Sequence, residues 1–261
     1  MLRSIWFVLC AVALFLFYDI LLRAARALAP DRGIELSFHL ADDIIRRLFV
    51  ILRWIGGFRF EYEGGIDEEL PKRFLVVANH QSLLDIIVAM SYFGSCRRVR
   101  LVSKRELGRY IPLVSMVLRI QSHALISRKG EAKQAMEELA RFARLCARKG
   151  LSPVIFPEGT RSRTGRVGVF HSAGVRRILE EGGGLPVVAL AIDGGWKVRN
   201  IRSLLKNLKG GRYRIRLAGI YPAPTGKKDI LDVLARARAA ISDNIDRWHA
   251  ADLPPGADGS K

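Results

Sequence analysis

At 261 residues, 49% apolar and 26% charged, the chain is long and apolar enough to bury a sizeable core in one main domain. A formal net charge of +18 demands an acidic partner, either nucleic acid or anionic lipid. The basic residues are scattered through 97–105, 141–149, 161–177 and 197–216 without a nucleic-acid motif or interleaved stacking aromatics, which makes a membrane surface the better reading, with a nucleic-acid binder as the rival that steep salt dependence without lipid activity would reveal.

The N-terminus agrees with a membrane. Ser4 to Tyr18 is an uncharged apolar run which, as a helix, reaches about 22 Å, short of a hydrocarbon core of about 30 Å, and it spans only if continued past Asp19 toward Leu28. Arg3 and Ala27-Leu28-Ala29 imitate a signal peptide, but Arg23 and Arg26 before the site and Pro30 after it argue against cleavage. The same arginines favour a cytoplasmic side for the body, giving an inner-membrane protein whose main domain faces the cytoplasm. Next, Leu36 to Ile55 places Leu40, Ile44, Leu48, Leu52 and Ile55 on one face, an amphipathic helix for either a core or an interface. We therefore expect an anchor with an amphipathic segment over 1–58, a catalytic domain over 59–252 and a disordered tail over 253–261.

Within that domain, strands are predicted near 73–78, 99–103, 123–127, 152–156, 186–192 and 213–219, and helices over 83–93, 106–119, 130–149, 168–181 and 228–249. The alternation gives an α/β fold with a largely parallel sheet flanked by helices, in which ligands bind beyond the carboxyl ends of strands. Gly182-Gly183-Gly184 reads as a helix stop, since no Gly-Lys-Ser follows to make a phosphate loop. Trp196 reads as core packing or as a wall of a lipid pocket.

Two loops at strand ends carry chemistry. After the run 74–78 comes Asn79-His80-Gln81-Ser82-Leu83-Leu84-Asp85, where Asp85, about one and a half helical turns beyond His80, can fold back to bond one imidazole nitrogen. That would fix the tautomer and leave the other nitrogen as a base; the bland alternative is a capped helix start with Asn79 or Ser82 as cap. After the run 151–156 comes Pro157-Glu158-Gly159-Thr160-Arg161-Ser162, a turn in which Gly159 can adopt angles forbidden to a side chain and Arg161 presents a fork suited to phosphate or carboxylate.

The two blocks together, with Ser103-Lys104-Arg105-Glu106-Leu107, Ile111-Pro112, Leu125-Ile126-Ser127-Arg128 and Leu185-Pro186-Val187-Val188 in order, resemble the glycerolipid acyltransferase family, within it the 1-acylglycerol-3-phosphate branch, from about Phe74 to about Asp193. The resemblance implies that His80 and Asp85 are catalytic, while Lys104, Arg128, Glu158, Gly159, Thr160 and Arg161 hold the acceptor. It further implies transfer of an acyl group from coenzyme A or acyl carrier protein to the free hydroxyl of 1-acylglycerol-3-phosphate, giving phosphatidic acid. Ser127 in place of the usual aspartate, the missing glycine near Val114 and Ser115, and His171-Ser172 where lysine is usual leave acceptor identity open, so lyso-ornithine lipid and glycerol-3-phosphate stay as alternatives.

Other classes fit worse. Ser82 lies two residues from His80 with no nucleophile elbow, against a serine hydrolase, and a noncatalytic lipid-binding protein would not need His80. Cys10, Cys96 and Cys146 lack metal-ligand spacing and read as reduced thiols. His39, His123, His171 and His249 are isolated, so neither a metal nor a resident cofactor is expected.

Overall fold

A computed structural model describes residues 2–28, 33–64, 70–94, 98–108, 113–126 and 132–252. In chain order the main elements are α1 (Leu2–Leu28), α2 (Gly33–Gly56), β1 (Arg59–Glu63), β2 (Leu75–Ala78), α3 (Leu84–Phe93), β3 (Val99–Lys104), α4 (Val114–Ile120) and β4 (Ala124–Ile126). They continue with α5 (Ala132–Lys149), β5 (Ser152–Ile155), α6 (Ser172–Gly182), β6 (Val187–Asp193), α7 (Ile201–Lys206), β7 (Arg212–Tyr221) and α8 (Lys227–Ala251).

Among the described residues seven strands make one sheet in the order β1-β7-β6-β2-β5-β3-β4, parallel throughout except for the antiparallel β6–β7 pair. The central β2, β5 and β6 are buried along their whole length, as expected of short Val- and Ile-rich strands covered on both faces. One face packs Val76, Val88, Leu190 and Tyr213 with Phe7 of α1 and Leu52 of α2. The other packs Leu75, Val77 and Val187 with α5, α6 and α8. The α/β reading with a largely parallel sheet therefore holds.

Most strands lie where the alternation puts them, but β1 and α7 were not expected. The helix expected over 106–119 divides into a single 3-10 turn, Arg105–Gly108, and α4, as a proline at position 112 in such a run requires. The glycine stop holds: α6 ends at Gly182, and Gly183 takes a left-handed φ of 78°. Cys96 and the tail from Leu253 lie outside the described residues.

The N-terminal pair folds onto the domain. Ser4 Oγ donates to the Leu205 carbonyl at 2.7 Å, and the Leu113 amide donates to Asp19 Oδ1 at 2.7 Å. Between them Tyr18 bonds Asp43 of α2, and Arg47 Nε donates to the Tyr18 hydroxyl at 2.8 Å. α1 is thus held at two points about 22 Å apart along its axis. Phe7 and Leu22 are buried, while Ile5, Trp6, Leu9, Val12, Leu16, Phe17 and Ile20 stay exposed. This is the one described helix long and apolar enough to cross a membrane.

Candidate active site

Parallel pairing of β2 with β5, in the register Val77 to Ile155, brings the carboxyl ends of these strands side by side. The Asn79 loop and the Pro157 turn leave from those ends and interlock. Glu158 Oε1 accepts from the His80 amide at 2.8 Å, the Ser162 amide donates to the His80 carbonyl at 2.7 Å, and the imidazole stacks on Phe156 with ring centres 4.3 Å apart.

The His80 ring meets Asp85 as the spacing suggested. Nδ1 lies 2.9 Å from Asp85 Oδ2, which also accepts the amides of Gln81 at 2.5 Å and Ser82 at 2.7 Å. Asp85 stands in the first turn of α3, where backbone donors and the helix dipole favour negative charge. A carboxylate so surrounded only accepts, which assigns the proton to Nδ1. Nε2 makes no hydrogen bond among the described residues and is the nitrogen left for chemistry. The Asp85 side chain is fully buried and that of His80 is 11% exposed.

The residues around His80 form a rigid frame. Asn79 Nδ2 donates to the Ile192 carbonyl and its Oδ1 accepts from the Ile192 amide, at 2.7 and 2.9 Å, tying the loop to β6. Gln81 Nε2 donates to the Gly165 carbonyl and to Asp193, while its Oε1 accepts the amides of Gly195 and Trp196. Ser82 Oγ donates to the Val198 carbonyl and accepts from the Leu84 amide. Asn79, Gln81, Ser82 and Asp85 are fully enclosed, and His80, itself largely buried, is the one polar side chain of the group that keeps some contact with solvent. Ser82 thus bonds the helix start at Leu84 and a distant segment at Val198 together, so the loop is more than a local capped turn.

In the second block, Glu158 gives its other oxygen to the Gly168 amide at 3.1 Å, so both oxygens are held by backbone. Burial pushes its carboxyl above the usual range, and the His80 and Gly168 amides pull it back. Gly159 has a φ of 66°, in the left-handed region, and its amide closes the turn onto the Phe156 carbonyl. Thr160 is exposed, and Arg161 Nη1 donates to the Arg199 carbonyl at 2.5 Å, placing the guanidinium beside the connection that follows β6. Lys104 ends β3, adjacent to β5 on the same sheet edge, but its side chain lies outside what is described. Arg128 lies outside the described residues altogether.

Sequence reasoning assigned no role to Gln81, Phe156, Gly195 or Tyr213, which shape the site. The only signal for Gly195 was the Gly194-Gly195 pair: Gly194 has a φ of 96°, and a Cβ there would overlap the Arg212 carbonyl. His249 is not isolated, since its Nε2 lies 3.1 Å from both oxygens of Asp193. Trp196 is half-buried beside Gly165 rather than in the core.

Comparison with known proteins gives the family. The Acyltransferase family model matches residues 62–193, which include both loops. A 1-acyl-sn-glycerol-3-phosphate acyltransferase of Cocos nucifera is 32% identical over 58% of this chain and 48% of its own length; one of Pseudomonas aeruginosa is 30% identical over 61% and 64%. The match thus spans about half to two thirds of these relatives. The crystal structure of the 1-acyl-sn-glycerophosphate acyltransferase from Thermotoga maritima superposes with a TM-score of 0.74 over all of this chain and 97% of that one, at 20% identity, a likeness of fold. The matched segment, half of the chain and holding both loops, means that the chain belongs to the Acyltransferase family.

Proposed function

We propose that the protein transfers a fatty acyl group from an acyl thioester to the free hydroxyl of 1-acylglycerol-3-phosphate, giving phosphatidic acid. The observation that carries this is the His80–Asp85 pair, with Nδ1 held at 2.9 Å by a fully buried carboxylate and Nε2 without a hydrogen bond among the described residues. Nε2 takes the proton from the acceptor hydroxyl as its oxygen attacks the thioester carbonyl; the carbon–sulfur bond then breaks and the thiolate leaves with a proton returned by the imidazolium. Asp85 orients the ring and stabilises its cationic form. No covalent acyl-enzyme is needed, because Ser82 is buried and committed to Val198.

The acceptor phosphate binds at the Gly159 turn, where Arg161 supplies a guanidinium, with Lys104 and Arg128 as further contributors. Relatives named for 1-acyl-sn-glycerol-3-phosphate support this acceptor over lyso-ornithine lipid or glycerol-3-phosphate. The protein works at the cytoplasmic face of the cell inner membrane. Because α1 is pinned to the domain at both Ser4 and Asp19, it lies against the body with its apolar face outward, dipping into the bilayer surface rather than standing away from the domain. Exposed Val50 and Trp54 of α2 extend that surface. Purified protein in detergent, given acyl-coenzyme A or acyl carrier protein thioesters and a panel of lysolipids, tests the assignment. Phosphatidic acid formed from lysophosphatidate and lost in His80→Ala supports it; no product from lysophosphatidate, or product from another lysolipid alone, overturns it.

A further inference from the structure

A cleft of about 990 Å³ opens beside the catalytic loop, between the segment that follows β6, the start of β7 and the end of α8. Seven Lys and Arg side chains line it against two carboxylates. Those carboxylates are already engaged: Asp193 by His249 and Gln81, Asp252 by Arg212 and Arg214. Arg212 is further paired with Glu61. Arg163, Lys197, Arg199, Lys206 and Lys209 make no ion pair among the described residues, so their charge is uncompensated. Uncompensated cations around a concavity concentrate anions there.

The cleft adjoins the two reactive loops. Arg163 and Thr164 on its rim belong to the turn that carries Arg161, and its wall at Asp193 is bonded by Gln81, the residue after His80. The half-buried indole of Trp196 also borders it, with the Lys197 ammonium 5.2 Å from the ring centre. An acceptor with one phosphate monoester is served by the Arg161 turn and leaves this array unused. Of the two thioester donors, a coenzyme A thioester brings a diphosphate, a 3′-phosphate and an aromatic base. A carrier protein would need cations on a projecting surface, whereas these line a hollow.

We propose that this cleft binds the nucleotide end of a coenzyme A thioester, its phosphates on Arg163, Lys197, Lys206 and Lys209 and its adenine near Trp196, with the pantetheine arm leading toward His80. This inference rests on the acyl-thioester reading above and names the donor. Lys206 and Lys209 are exposed, so charge reversal there should leave the fold intact.

The test uses the full chain in detergent with Lys206→Glu/Lys209→Glu. Titration calorimetry with adenosine 3′,5′-bisphosphate should show salt-sensitive binding to the native protein, weakened about tenfold or more in the variant. The ratio of kcat/KM for acyl-coenzyme A to that for the matching acyl-pantetheine, which lacks the nucleotide, should fall by about the same factor. An unchanged ratio, equal loss with both donors, or a loss seen only with acyl carrier protein would overturn the proposal. Native protein that binds the bisphosphate through the cleft yet acylates no lysophosphatidate would sink the proposed reaction and keep the nucleotide site. Turnover of lysophosphatidate without cleft-dependent binding would do the reverse.

Discussion

Gly195 lies flush against the carboxylate of Asp85: a Cβ at Gly195 would stand 2.8 Å from Asp85 Oδ1, 2.7 Å from the Tyr213 hydroxyl and 2.9 Å from Ser82 Cβ. All three neighbours are buried, and Tyr213 and Asp85 are held by β7 and the first turn of α3, so none can retreat cheaply. Burial first, and the Asp85 charge second, hold the Tyr213 phenol well above its ordinary pKa, so it stays protonated beneath the carboxylate. Gly195→Ala should therefore push Asp85 out of line with His80 and lower kcat about tenfold or more while KM for both substrates changes little. Steady-state kinetics beside circular dichroism would decide: native kcat in the variant would mean that the catalytic carboxylate tolerates displacement.

Removing the base itself should be more severe. His80→Ala should reduce kcat by about a hundredfold or more, the usual scale of general-base catalysis, with the fold retained because Asn79 and Gln81 still tie the loop to β6. Asp85→Asn should also be costly: the amide can donate to Nδ1 and favour the wrong tautomer, and the Gln81 and Ser82 amides lose a charged acceptor. Turnover near the native rate in either variant would remove the pair from the mechanism.

For the phosphate turn, Arg161→Ala should raise KM for lysophosphatidate about tenfold or more, the scale of one charged hydrogen bond of about 1.5–3 kcal/mol, with a smaller change for the thioester. Arg161→Lys should recover part of the loss, since an ammonium keeps the charge without the fork. If KM for both substrates rose equally, the bond from Arg161 to the Arg199 carbonyl would be the residue's main business, and the acceptor phosphate would bind elsewhere.

Both reactive loops could be read in sequence because each is contiguous and follows directly on an apolar strand, so spacing alone brings Asp85 back to His80. What was not legible depends on elements distant in the chain. Gln81 meets Asp193 and Gly195 more than a hundred residues away, and His249 meets Asp193 across 56 residues. Nothing local marks either contact. The unexpected β1 is a short edge strand in which Phe60 and Tyr62 alternate with Arg59, Glu61 and Glu63, so its apolar content is too low to stand out until it pairs with β7. The amphipathic stretch of α2 left core and interface open; the structure shows the core use, with Leu52 fully buried, and leaves Trp54 83% exposed on the other side.

The two faces of α1 should respond differently to substitution. Trp6 and Phe17 are 56% and 61% exposed, so Trp6→Glu/Phe17→Glu should leave unfolding unchanged yet release the protein from vesicles at high salt, each lost apolar contact being worth about 1.5–3 kcal/mol. Leu22 is fully buried against α2 and α4 neighbours, and Leu22→Ala should destabilise the fold by about 2–5 kcal/mol with little effect on vesicle binding. Vesicle flotation and denaturant titration measure the two effects. A double glutamate variant that still floats with the membrane at high salt would show that this face is not what touches lipid.

A pH signature should come from His123, far from the reacting atoms. It is buried between β3 and α4, its Nδ1 accepting the Leu101 amide at 3.0 Å, its Nε2 beside Gln121 Oε1, and Arg100 close by. Burial first and the Arg100 charge second hold its pKa to about 3. In the unfolded chain the same ring takes a proton below about pH 6.5, so between that value and the folded pKa the unfolded state binds more protons and stability falls as pH falls. Above that window the contribution is complete and flat. Going from about pH 7 to about pH 5 should cost the native protein about 2 kcal/mol from this residue alone. His123→Gln, which keeps an acceptor for the Leu101 amide but cannot titrate, should be less stable at neutral pH and lose correspondingly less on acidification. Urea midpoints for both proteins at the two pH values give the comparison, and parallel losses would mean that His123 is protonated in the folded state as readily as in the unfolded one.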